Sequence, residues 1–234
     1  MHQTEIHPDA VEFIKKKRGG KLHVHDRLDP ACTALVVIDM QIAFLKPGLP
    51  SEVPVAREIV PNINRLAQAF RASGGTAAWV YNTFTEAIFD EWSSFLGGTY
   101  APETSRAVAE QLMEGAEGHP LWPELDIGEE DLRVAKNRFS AFLPGSSDIE
   151  AQLRRRGIDT VAITGTLTNV CCESSARDAM MRNFHVIMLS DGNATYTDAI
   201  HNASLTSLSV TFADVMTTEE VIAALGVAVA HTTA

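Results

Sequence analysis

The sequence lacks the features that mark secreted, membrane-spanning and nucleic-acid-binding proteins. Only three of its 234 residues are cysteine and two of these are adjacent, which is too few for a disulfide framework. No apolar run approaches the roughly 20 residues of a membrane-spanning helix, and the basic tract at residues 15–18 is not joined to the apolar segment of a secretory signal. Lys and Arg number 19 against 30 Asp and Glu, so the formal net charge is −11, which argues against contact with nucleic-acid phosphates. We therefore expect a reduced, cytoplasmic protein whose partners include neither nucleic acid nor a membrane.

Several well-known site motifs are also missing. The first apolar strand run ends at Asp39 and continues Met-Gln-Ile-Ala-Phe, which is not the G-x-G-x-x-G of a dinucleotide site. Gln41 stands where a two-aspartate phosphatase motif needs its second carboxylate. The chain has no phosphate-binding G-x-x-x-x-G-K-[ST], no G-x-S-x-G, no H-E-x-x-H and no C-x-x-C. We expect neither an organic cofactor nor a metal.

The composition, 45% hydrophobic and 21% charged, is typical of a globular protein. From residue 33 onward, apolar runs of strand length alternate with helical segments. The predicted strands are 33–39, 76–82, 132–136, 160–165, 185–189 and 209–215. Several of them are apolar throughout, as expected for strands covered on both faces. Strands separated by helices imply parallel crossovers, so the sequence predicts a three-layer α/β/α domain.

Two helix starts can be predicted from the local sequence. Ser147 with Glu150 and Thr217 with Glu220 both have the spacing of a capping box.

Residues 1–30 form a polar arm that precedes the domain at 31–234, and its H-x-H pair has no third metal ligand at a recognisable spacing. We expect the arm to pack on its own domain or on a neighbour.

Three ionisable side chains fall at the carboxyl ends of different predicted strands, where open parallel sheets bind ligands. Asp39 ends the first run, Lys136 ends the third, and Cys171 follows the fourth across a short turn. Thr168 or Asn169 is suited to cap a helix that would hold the Cys171 thiol in its first turn, which favours the thiolate. Each of these residues alone is more often structural. Their joint position on one edge makes a nucleophilic cysteine site an equal alternative to three structural roles.

Two other cysteines compete with Cys171 for that role. Cys172 is its neighbour, and adjacent helical residues point about 100° apart, so only one of them faces the crevice. Cys32 precedes the first strand and belongs at the opposite edge. We expect packing roles for both.

The segments Ala-Leu-Val-Val-Ile-Asp39-Met-Gln, Lys136-Asn-Arg-Phe-Ser-Ala-Phe and Thr-Gly-Thr-Leu-Thr-Asn-Val-Cys171 resemble the isochorismatase-like cysteine hydrolase superfamily over roughly residues 30–225. The resemblance implies a six-stranded parallel sheet in which Cys171 is the nucleophile, Asp39 the base and Lys136 the cation that orders both. It also implies a cis peptide between Thr166 and Leu167, with the Leu167 and Cys171 amides holding an oxyanion. Asp39 should raise the thiol pKa while Lys136 and the helix end should lower it, and the sequence leaves that balance open.

The presence of Cys171 points, within this superfamily, to cleavage of a C–N bond rather than of a vinyl ether. Residues 81–92 contain no histidine for the metal site that nicotinamidases of the superfamily carry. The chain therefore resembles the metal-free amidohydrolase branch, which includes N-carbamoylsarcosine amidase and ureidoacrylate amidohydrolase. A small ureido, carbamoyl or amide substrate and a dimer or tetramer are implied. The alternatives are a nicotinamidase-type hydrolase and a non-catalytic binding subunit.

Candidate substrate-binding residues are one amide and four aromatic side chains. Asn82 ends the second predicted strand on the same edge and is placed to hydrogen-bond a substrate amide, although a loop cap is an equal alternative. The candidate walls of the pocket are Phe44, Phe84, Trp92 and Phe142.

Overall fold

A computed structural model describes residues 1–226 of the chain, and residues 227–234, the end of the predicted domain, lie outside it. Six parallel strands form one sheet in the order β3-β2-β1-β4-β5-β6. They are β1 Thr33–Ile38, β2 Thr76–Asn82, β3 Leu132–Lys136, β4 Thr160–Thr166, β5 His185–Ala194 and β6 Asp214–Met216. The predicted α/β class and six-stranded sheet are confirmed.

Ten α-helices connect and cover the strands in the described part of the chain. They are α1 Pro8–Lys17, α2 Ile42–Leu45, α3 Val60–Ala72, α4 Ile88–Glu91, α5 Ser93–Gly98, α6 Pro102–Glu110, α7 Ile149–Arg155, α8 Glu173–Met181, α9 Asp198–Thr211 and α10 Thr218–Ala224. A π-helical turn, Thr168–Cys172, precedes α8. None of the described helices is long and apolar enough to span a bilayer.

The central strand β1 shows how the layers form. All six of its residues are buried, because the sheet is covered on both faces. Leu35 and Val37 belong to one core, shared with α3 and α10. Val36 and Ile38 belong to the other, shared with α7, α8 and α9. Alternate side chains of one strand thus feed two hydrophobic layers.

The last strand differs from its prediction. Residues 209–211 belong to α9, and β6 is limited to Asp214–Met216. Leu205, Leu208 and Ser209 are buried at helical spacing. The run around residue 210 mixes β-branched and apolar residues without a clear period, so its sequence does not distinguish helix from strand.

One predicted capping box is confirmed and the other is wrong. Thr217 and Glu220 exchange both capping hydrogen bonds at the start of α10. At α7 the cap position is held by Asp148, and the Glu150 carboxylate pairs with Arg182 instead. An ion pair from a distant part of the chain has replaced a local bond.

The amino-terminal arm packs on its own domain. Arg18 Nη1 and His23 Nδ1 lie 2.9 and 3.1 Å from Asp214 Oδ1, a buried carboxylate at the start of β6. Burial alone would raise the pKa of Asp214, but hydrogen bonds from His23 and from two backbone amides of the arm outweigh it and lower that pKa. His23 is therefore a hydrogen-bond partner that fastens the arm.

Candidate active site

The structure brings Asp39, Lys136 and Cys171 together at the carboxyl edge of the sheet. Asp39 follows β1, Lys136 ends β3, and Cys171 lies in the π-helical turn after β4. Lys136 Nζ lies 2.8 Å from Asp39 Oδ2, and neither side chain is exposed to solvent. Asp39 and Cys171 are close enough for each to shift the pKa of the other.

The Lys136 ammonium uses all of its donor capacity. Besides Asp39 it donates to Asn82 Oδ1 and to the backbone carbonyl of Arg138, each at 3.0 Å. Asn82 ends β2, the strand between β1 and β3, so it fills the gap across which the ion pair reaches. The cation is held in place by three acceptors.

Gln41 is a buried residue of the site that the sequence did not predict. Its Oε1 accepts from the Asn82 amide at 2.8 Å, and its Nε2 donates to the carbonyls of Asn82 and His119 at 2.9 and 2.7 Å. These bonds position the end of β2 beside Asp39. The available signal was its place two residues after Asp39 in the Asp-Met-Gln motif.

The junction of β1 and β4 has an unusual backbone. Asp39 adopts φ 52°, a left-handed conformation that Asp tolerates better than most residues. Gly165 has φ 122°, and a Cβ there would overlap the carbonyl of Ile38. Glycine thus lets the two strand ends approach closely enough to bring Asp39 near the turn that carries Cys171.

The turn between β4 and the thiol contains the cis peptide that the resemblance implies, between Thr166 and Leu167. Thr166 Oγ1 donates to the Asp39 carbonyl at 2.7 Å, which ties this turn to the end of β1. The helix α8 begins at Glu173, so Cys171 lies just before it and not in its first turn.

Burial dominates the electrostatics of the site. It raises the pKa of the Cys171 thiol well above its ordinary range, Asp39 adds to the rise, and Lys136 opposes it. Burial also raises the pKa of Asp39, against the influence of Lys136 and Cys171. Burial would lower the pKa of Lys136, but the charges of Asp39 and Cys171 outweigh it and the pKa is raised. The raised pKa keeps the Cys171 thiol neutral at rest, beside the Asp39–Lys136 salt bridge.

The Asp39 carboxylate retains accepting capacity. Apart from the ammonium of Lys136, neither of its oxygens has a well-aligned hydrogen-bond donor within residues 1–226. A buried carboxylate with a raised pKa and a free lone pair is suited to take a proton from a neighbouring thiol.

A cavity of about 330 Å³ opens onto the Cys171 thiol. Six of its lining residues are aromatic: Phe44, Phe84, Phe95, Tyr100, Phe139 and Tyr196. Five more are aliphatic: Pro50, Val108, Leu112, Leu167 and Val170. The remainder are Ser51, Asn82, Thr104 and Cys171.

Three of the five predicted binding residues line this cavity and two do not. Phe44, Asn82 and Phe84 are placed as expected. The prediction that Phe142 lines the site is wrong, because this residue is buried in the core shared with α7, α8 and α9 and packs against Phe184, with ring centroids 5.4 Å apart. Its position depends on long-range packing, which the sequence around a single aromatic residue does not reveal.

Trp92 is also absent from the cavity wall. Its ring packs against Phe95 and Phe139, at centroid distances of 4.7 and 4.6 Å, and so supports two residues that do line the cavity. Phe95, Tyr100, Phe139 and Tyr196 escaped the prediction because they come from loops or short helices whose packing no local pattern reveals.

The rival cysteines have the expected locations. Cys172 is fully buried in the hydrophobic core. Cys32 lies before β1, at the opposite edge of the sheet, and is partly exposed. In residues 1–226 no group of three His, Cys, Asp or Glu side chains is arranged to hold a metal ion.

The comparison with known families agrees with this geometry. The Isochorismatase domain model matches residues 33–220. The chain belongs to the isochorismatase family.

Relatives in this family cover most of the chain. An isochorismatase family protein from Bacillus subtilis, YwoC, is 30% identical over 188 residues, which are 80% of this chain and 91% of that protein. The ureidoacrylate amidohydrolase RutB of Methylobacterium radiotolerans is 29% identical over 86% of this chain and 82% of its own length. The crystal structure of a cysteine hydrolase from Pseudomonas syringae superposes with a TM-score of 0.73, at 28% identity over 85% of this chain and 94% of the other.

Proposed function

We propose that this protein is a cysteine amidohydrolase that cleaves a C–N bond, other than a peptide bond, in a small amide, ureido or carbamoyl substrate. The observation that carries the proposal is the buried Asp39–Lys136 ion pair beside the thiol that opens into a ligand-sized cavity. The similarity to a ureidoacrylate amidohydrolase and to a cysteine hydrolase supports the same class of chemistry.

The first half of the reaction forms a thioester. Asp39 takes the proton of Cys171 as the sulfur attacks the carbonyl carbon, and the oxyanion accepts hydrogen bonds from the amides of Leu167 and Cys171. The C–N bond then breaks, and the leaving nitrogen takes the proton from Asp39. Ammonia or an amine departs.

The second half removes the acyl group. Asp39 accepts a proton from a water molecule whose oxygen attacks the thioester carbon. The C–S bond breaks and the proton returns to sulfur, so the enzyme is regenerated with a carboxylic or carbamic acid as product. Lys136 orients the Asp39 carboxyl group in both halves through its contact with Asp39.

The test is ammonia release from N-carbamoyl amino acids, ureidoacrylate, biuret, triuret, nicotinamide and simple aliphatic amides. We expect at least one of them to be hydrolysed, and Cys171→Ala to lower that rate by about a thousandfold or more. Cys172→Ala is the matched control, because Cys172 is an equally buried thiol one residue away, and it should stay within about tenfold of wild type. Hydrolysis that survives Cys171→Ala would refute the nucleophile.

A further inference from the structure

The cavity beside Cys171 contains no ionised side chain that is free to bind a charged substrate. None of its lining residues in the described chain is Asp, Glu, Lys, Arg or His. The two charged side chains beside Cys171, Asp39 and Lys136, pair with each other at 2.8 Å. The ammonium has no donor to spare, because Asn82 and the Arg138 carbonyl take the rest.

Arg138, the cationic residue nearest to Lys136 in the sequence, does not line the cavity. Its guanidinium donates to the Asn137 carbonyl at 2.8 Å and lies 5.2 Å from the centroid of the Trp92 ring, which is outside the cavity wall. A carboxylate entering the cavity would lose its hydration without gaining a cation, which is costly. The formal net charge of −11 adds a repulsive field for anions.

The walls favour an apolar substrate body. Eleven of the fifteen lining residues are aromatic or aliphatic. The volume of about 330 Å³ is at the small end of the range for ligand sites, roughly 300–1,000 Å³. Flat apolar groups gain most in such a space, because they exchange water for aromatic contacts.

One polar group in the wall lacks a partner. Ser51 is buried, with 6% of its surface exposed, and its hydroxyl has no hydrogen-bond partner among the described residues. Leaving a buried hydroxyl unpaired is unfavourable. The hydroxyl oxygen has almost no accessible surface in its present rotamer, so a ligand with a neutral hydrogen-bonding group would pair with it once a χ1 rotation turns the hydroxyl toward the cavity.

We infer that the substrate is an uncharged amide or ureide with a flat apolar body, and that Ser51 hydrogen-bonds a polar group on it. This inference rests on the proposed amidohydrolase function and narrows its substrate class. Carboxylate-bearing ureido acids are poor substrates on this view.

Alkylation of Cys171 tests the charge preference without turnover. Iodoacetamide and iodoacetate place the same carbon before the sulfur, form the same C–S bond and release iodide, and differ by one negative charge. Rates at Cys171 are followed by peptide mass spectrometry and divided by the rates with glutathione. We expect the neutral reagent to be favoured by about tenfold or more, equal to about 1.4 kcal/mol. Equal rates, or a preference for iodoacetate, would overturn the inference.

A matched ligand series tests the same point by protection of Cys171 from iodoacetamide. Phenylacetamide and para-hydroxyphenylacetamide should protect the thiol at concentrations about tenfold lower than para-carboxyphenylacetamide. Absence of protection by the two neutral compounds, or stronger protection by the carboxylate, would contradict the substrate class.

Ser51→Ala tests the hydrogen-bonding group. The variant should weaken protection by para-hydroxyphenylacetamide about 2- to 10-fold and leave phenylacetamide unchanged, with no loss of Tm. Ser105→Ala is the matched control, because the Ser105 hydroxyl is also buried and unpartnered in the described chain but does not line the cavity. Equal effects of the two variants would refute the role of Ser51. Failure of the proposed function is a separate outcome, namely ammonia release that persists in Cys171→Ala.

Discussion

The Asp39–Lys136 pair is the residue-scale feature on which the site depends. Two opposite charges lie in the protein interior with no solvent exposure. Their desolvation is expensive, and their mutual attraction offsets it only because Lys136 also has two further acceptors. Removing one partner therefore differs from removing both.

Lys136→Met should destabilise the protein by about 3–5 kcal/mol at neutral pH, because it leaves a buried carboxylate without its counter-ion. The measurement is the free energy of unfolding in urea. Asp39→Asn added to Lys136→Met should recover part of this loss, since no charge then remains buried. The pair would not be coupled in this way if the loss of unfolding free energy in the double variant equalled or exceeded the sum of the losses in the two single variants.

At the scale of elements, the close approach of β1 and β4 decides whether Asp39 and Cys171 meet. The two strands are in register from Thr33 against Thr160 to Ile38 against Gly165. At that last pair only glycine fits, since a Cβ would meet the Ile38 backbone. The close approach of the strand ends therefore sets the geometry of the candidate site.

Gly165→Ala should lower the free energy of unfolding by more than about 4 kcal/mol, because the backbone clash adds to a conformation that alanine rarely adopts. Gly157→Ala is the control: it also has positive φ, 75°, but nothing lies within 4 Å of its Cβ position. It should cost only about 1–2 kcal/mol. Comparable losses in the two variants would show that the close strand approach is unimportant.

At the scale of the whole molecule, the arm, α9 and the π-helical turn that carries Cys171 meet at His201. Its Nδ1 lies 2.9 Å from Thr168 Oγ1 and its Nε2 3.0 Å from the Ser190 carbonyl. The ring of His2, from the arm, stacks on it at 4.4 Å. Burial, together with the nearby His2, lowers the pKa of His201 to about 4. The folded protein thus holds a neutral imidazole under the turn that carries Cys171.

The stability of the protein should consequently fall as pH drops from about 6.5 to about 4. In this window the unfolded chain binds a proton at His201 that the folded protein does not, which costs up to about 3 kcal/mol. His201→Gln removes this titration, so its free energy of unfolding should change less between pH 7 and pH 4.5. Parallel losses in both proteins over that interval would rule out His201 as the source.

The assembly state stays a prediction. The family resemblance implies a dimer or tetramer, and sedimentation of the intact protein measures it directly.

Local sequence pattern was sufficient to predict the sheet and to place three ionisable residues at its edge. Continuous apolar runs mark covered strands locally, and β2 and β3 have the predicted bounds. Parallel topology then places Asp39, Lys136 and Cys171 on one edge, because the carboxyl ends of such strands lie together. The prediction that the last strand begins at residue 209 was wrong, because the local pattern at 209–215 fits helix and strand equally.

The surroundings of those three residues, by contrast, depend on contacts that form only on folding. The contacts of Gln41 with Asn82 and His119 join segments far apart in sequence, and the orientation of Phe142 into the opposite core depends on its partner Phe184. The lack of charge on the cavity wall is likewise a product of loops that meet only after folding. Side-chain surroundings depend on long-range packing, which no local period encodes, whereas strand ends follow from short-range pattern and topology.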